Sequence, residues 1–157
     1  MCKTRRGLIL RLLIWVSVAF SVVLSVTPLA LYQHTLGLIG ELPARPTTLL
    51  GESEAAELWN SKEKCKPEEC AAITPYWVYR WLLGAVINDH VRPVAAETPY
   101  QNVSKMASRV AIAHMRNGHF KGKGMLWWHL THTNLSIWVQ RNWTPNEIAS
   151  KYKQIGA

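Results

Sequence analysis

Acidic side chains are missing where the chain is most basic. No Asp or Glu stands between Glu97 and Glu147, and from Thr98 onward that single acid, Glu147, faces eight Lys and Arg. Glycoside chemistry generally needs two carboxylates, so this half offers little to a glycosidase. Cysteine is also scarce, at three in the chain. Cys65 and Cys70 have no second pair to complete a four-ligand zinc site, and their four-residue gap is wider than that of redox motifs. In an exported segment they point to a disulfide closing a small loop, with free thiols as the alternative. Cys2 precedes the apolar run, and no lipobox-like sequence follows that run. No stretch alternates polar and apolar residues as a half-buried strand does, and there are no internal repeats. An all-α fold is the expectation.

One long hydrophobic run is present. Residues 12–32 carry no formal charge and are mostly Leu, Ile, Val, Ala, Phe or Trp. At about 1.5 Å per residue this run spans the roughly 30 Å hydrocarbon core of a bilayer. Lys3, Arg5, Arg6 and Arg11 precede it, and no Lys or Arg follows until Arg45. That asymmetry puts residues 1–11 in the cytoplasm as a basic tail and the rest on the far side. The run is longer than the apolar region of a cleaved signal peptide and lacks a small-x-small end, so it reads as a signal-anchor.

Beyond the anchor, residues 33–50 are rich in Gly, Pro and Thr and read as an extended linker. Residues 51–157 are enough for one small domain. Helices are expected over 52–60, from Thr74-Pro75 to about His90, over 103–117 and over 125–142. A last one opens at Thr144-Pro145-Asn146-Glu147, a capping box with Pro in its first turn. Seven tryptophans besides Trp15 suit buried packing or an interface.

Charge divides this domain. Residues 41–97 hold six basic and nine acidic side chains, and the remainder is strongly basic. Outside the membrane the available anions are lipid headgroups and acidic wall precursors, not nucleic acid. Ser104, Lys105, Arg109 and Arg116 on one helix, with Lys121 and Lys123 in the next loop, are the candidate ligand-binding residues. His129 and His132 share a helix face and His114 and His119 could approach them, but no carboxylate is near. No metal or other cofactor is expected. Asp89 and Glu97 are the only carboxylates between Glu69 and Glu147, and either could serve as a glycosidase acid, against the commoner role of such side chains at the surface.

The tail from Asn102 to Tyr152 resembles part of the peptidoglycan glycosyltransferase domain of class A penicillin-binding proteins (glycosyltransferase family 51). Asn102-Val103-Ser104-Lys105 occupies the place of the family's Gly-Gly-Ser-x motif, and Trp128-His129-Leu130-Thr131-His132 that of Arg-Lys-x-x-Glu. Trp138 to Tyr152 follows the pattern that closes the family's long helix. The resemblance implies a lysozyme-like or transglycosylase-like helical domain on an inner-membrane anchor, facing the periplasm. The family's two catalytic glutamates fall on Asn88 and His132. An amide cannot take a proton from a sugar hydroxyl, so the resemblance implies lost polymerase chemistry and a retained groove for a wall precursor or a partner protein. The rivals are an active glycan-processing enzyme using Glu97, Asp89 or His132, and an accessory subunit that docks its aromatic helices on a larger complex.

Overall fold

The computed structural model describes residues 3–63, 66–67, 73–77 and 103–156, and among them every regular element is a helix. These are α1 (Lys3–Gly37), α2 (Glu52–Lys62), α3 (Lys105–His114), α4 (Met125–Asn142) and α5 (Pro145–Gln154). Cys65, Cys70, Asn88, Asp89 and Glu97 lie outside the described residues, as does most of the helix expected after Thr74-Pro75.

From Arg11 to Gly37, α1 is long and apolar enough to cross a membrane, with a mean hydropathy of 2.2. Its polar side chains turn back on its own backbone. Ser25 and Thr27 donate their hydroxyls to the carbonyls of Ser21 and Val23, at 2.8 and 2.7 Å. That is the local satisfaction an apolar solvent demands. Pro28 lies inside the helix and brings no N–H to its ladder.

The linker expected over residues 33–50 is not a free connector. α1 continues to Gly37, and its last turns enter the domain, with Leu36 and Ile39 packed on Ala111, Met115 and Leu135. Thr35 is fully buried and accepts a 2.8 Å hydrogen bond from the Asn134 side-chain amide. Past the helix the chain pairs with the loop after α3, where Gly40 N–H donates to the His119 carbonyl and Lys121 N–H to the Leu38 carbonyl, both at 2.8 Å. The rest is extended, as Pro43 and Pro46 dictate, but it is strapped over α4 and α5. Arg45 reaches Glu147 and the Asn142 carbonyl, Leu50 N–H donates to Ser150, and the Gln154 amide donates to Thr48.

The domain's main cluster joins α2, α3, α4 and α5 through Trp59, Met106, Val110, Val139, Ile148 and Ala149. α3 is shorter than the expected 103–117 helix. After His114 the chain widens into a five-residue π turn, Met115–His119, that closes at Gly118 with φ 88°, a conformation that favours glycine. α4 matches its expected limits. α5 opens on the expected box, with Thr144 N–H donating to Glu147 at 2.7 Å and Glu147 N–H donating to Thr144 Oγ1 at 3.2 Å. These bonds, with Arg45 nearby, hold the Glu147 carboxyl below its ordinary range.

Candidate functional site

α4 meets α1 at both of its ends. Near its start, Trp127 packs edge-on against His34 with ring centroids 5.0 Å apart. Near its finish, Trp138 and Arg141 face Tyr32 across a groove. The Trp127–His34 and Asn134–Thr35 contacts lie two turns apart on α4 but on adjacent residues of α1, so α4 lies across that helix, not along it. The crossing leaves a groove of about 910 Å³, with Leu29, Tyr32 and Leu36 of α1 on one wall and Trp138, Arg141 and Asn142 on the other. Thr74, Pro75 and Tyr76 close one side, held to α1 by the Tyr76 hydroxyl, which donates to the Ser25 carbonyl at 3.0 Å. Arg141 is exposed and forms no salt bridge among the described residues. A guanidinium against aromatic and aliphatic walls suits an anionic headgroup with an apolar tail.

Lys105, Arg109 and Arg116 are exposed on the outer side of α3 and its wide turn, and Lys121 and Lys123 are exposed on the following loop. Pairing of that loop with Leu38 and Gly40 brings the two lysines beside the end of α1. Ser104 does not belong to this face. It is fully buried as the N-cap of α3, accepting from Ala107 N–H at 3.0 Å and donating to Glu63 at 2.7 Å. The Glu63 carboxylate also accepts from the backbone N–H groups of Lys105 and Met106, at 2.9 and 2.7 Å. The positive end of α3 is thus filled by a side chain of this molecule, and an outside anion would have to displace it.

The histidines do not gather. His114 and His119 stack on each other, centroids 4.1 Å apart, and His114 also bonds the Glu41 carbonyl. Burial lowers the His114 pKa, against the opposing pull of that hydrogen bond. His132 is largely buried, its Nε2 2.8 Å from Ser108 Oγ and its ring stacked on Trp128. Burial, then the charge of His129, lowers its pKa to about 4, against the bond to Ser108. A Ser–His contact is the geometry of an activated nucleophile. Here, however, the imidazole is too weak a base at neutral pH to draw the proton well. Among the described residues no three His, Cys, Asp or Glu come together as a metal site would require.

Sequence reasoning missed Arg141 and Glu63. Arg141 carried a local signal, an aromatic-to-basic step of one helical turn from Trp138. Glu63 carried none, because the helix it caps begins far along the chain. No protein-family model, no curated protein and no solved structure matches this chain.

Proposed function

We propose that this chain is a non-catalytic, single-pass protein of the bacterial inner membrane that holds an anionic, lipid-linked wall precursor beside its periplasmic domain. The observation that carries the reading is the groove between α1 and α4. Its apolar wall is the anchor helix itself, and its opposite wall presents Trp138 and Arg141. A polyprenyl tail would lie along Leu29 and Leu36, and a diphosphate would meet Arg141 where headgroups begin. The length of the apolar run and the cations before it support the crossing and its direction. Similarity of the tail to the glycosyltransferase domain supports the class of ligand. Holding without turnover fits His132, which is neutral, half-buried and already bonded to Ser108.

The test is binding of a polyprenyl-diphosphate disaccharide to purified full-length protein in nanodiscs, read by native mass spectrometry. Loss of a charge-assisted hydrogen bond in Arg141→Ala should weaken binding about tenfold or more. Equal affinity of Arg141→Ala and wild type refutes the groove. Glycan polymer formed by wild type and lost in His132→Ala would refute the non-catalytic reading.

A further inference from the structure

We infer that residues 121–127 form a second, peripheral membrane contact, an interfacial foot that rests on anionic headgroups of the leaflet from which α1 emerges. The inference rests on α1 crossing the bilayer, but not on the groove having a ligand. Three observations converge on this short segment. Backbone pairing of Lys121 with Leu38, and of Gly40 with His119, fixes its start within a few residues of the end of α1 at Gly37. The Trp127–His34 ring contact fixes its other end against α1 itself. Between them, Met125 and Leu126 expose 71% and 62% of their surface. Lys121 and Lys123 are exposed alongside and form no salt bridge among the described residues, although Glu41 follows Gly40, on which the Lys121 side chain lies.

Two neighbouring large apolar side chains in water are costly, whereas at a lipid interface they bury surface while the lysines meet phosphate. The occupant follows from place and charge. The segment is held at the level where the anchor leaves the hydrocarbon, so the surface it meets is the bilayer of its own anchor. Its two exposed lysines, in no salt bridge among the described residues, select anionic lipid. The exposed apolar tip of α4 and the basic loop before it are then one device, with insertion by Met125 and Leu126 and selection by Lys121 and Lys123.

A photo-crosslinking diazirine amino acid placed at position 126 of the full-length protein tests this, in nanodiscs of phosphatidylglycerol with phosphatidylcholine or of phosphatidylcholine alone. The same probe at position 20, where Phe20 is 63% exposed on the apolar run, reports the anchor independently. Lipid adducts at both positions are expected, with the yield at 126 higher in anionic bilayers and falling about fivefold for each of Lys121→Gln and Lys123→Gln. Position 20 should not respond to either substitution. Adducts at 20 with none at 126 would overturn the foot while leaving the anchor intact. Absence at 20 would overturn the anchor and the foot with it. Lipid adducts at 126 that ignore headgroup charge and both lysine substitutions would overturn the selection of anionic lipid.

Discussion

The cluster joining α2, α3, α4 and α5 and the seam joining α1 to α4 bury similar apolar side chains but place their polar groups differently. In the first, Met106, Val110, Val139 and Ile148 make an apolar interior, with Glu63 and Thr144 as caps on α3 and α5 and the buried Ser150 turned to the strap at its edge, where it accepts from Leu50 N–H. In the second, Ile39, Ala111, Met115 and Leu135 are joined by a buried polar pair, Thr35 with Asn134. Apolar packing is tolerant of sliding, whereas one buried amide–hydroxyl pair is satisfied in a single register. The first cluster accordingly supplies stability, and the seam specifies which face of α1 the domain takes.

The strongest way to break that division is Met106→Ala. This removes a fully buried side chain and should lower unfolding free energy by about 2–5 kcal/mol, read by denaturant melts in detergent. An unchanged melt would mean that the main cluster is not where stability resides.

His132 lies between the two regions, bonded across to α3, and makes the comparison depend on pH. Its folded pKa, about 4, lies below the ordinary 6.5, so the unfolded chain binds the proton first as pH falls. The contribution is complete above about pH 6.5 and drains as pH falls toward 4, by about 3 kcal/mol in all. His114, also lowered, adds loss of the same sign. Melts between pH 7.5 and 4.5 should therefore be flatter for His132→Gln than for wild type. Parallel slopes would show that the imidazole is not held neutral by the fold.

The seam itself is sharpened by comparing one removal with two. Asn134→Ala leaves a cavity and removes the bond that the buried Thr35 hydroxyl accepts, leaving only the one it donates to the Tyr32 carbonyl, and should cost about 1–3 kcal/mol. Thr35→Val with Asn134→Leu removes both partners and should be nearly neutral in stability. If the pair specifies register, the double variant melts like wild type while hydrogen exchange of the last turn of α1 quickens. Slow exchange there would assign register to the apolar contacts instead. The smallest effect belongs to an exposed cap. Thr144→Ala should cost about 1 kcal/mol, and a loss as large as that of Met106→Ala would place the caps among the main supports.

Legibility in the sequence follows the range of the forces involved. The limits of α4 and the start of α5 were readable because Gly124 and the Thr144–Glu147 box act within a few residues. α1 ran past its expected end because the polar Gln33, His34 and Thr35 read as the start of a linker, whereas Thr35 is bonded to Asn134 and Leu36 packs into the domain only in the folded chain. Leu36 and Ile39 find α4, and nothing near them in sequence says so. The strap over 38–50 was read as a spacer for the same reason, since Arg45 and Thr48 find Glu147 and Gln154 only after folding. Five of the six candidate binding residues are exposed. Ser104 is not, because a carboxylate from the end of α2 reached its helix first. The groove was illegible because it exists only where α4 crosses α1.

The passage of α1 without interruption into the domain also has a mechanical consequence. A globular unit on a flexible tether sweeps through many orientations and must find the productive one at each encounter. The helix and the domain share Thr35 and Leu36, so under the proposed membrane reading a rotation of α1 about its own axis is a rotation of the whole body, and the height of the domain above the lipid would be set. Neighbours diffusing in the same two-dimensional sheet would then meet it with only its azimuth left to search, so the orientational entropy of complex formation is largely removed before contact.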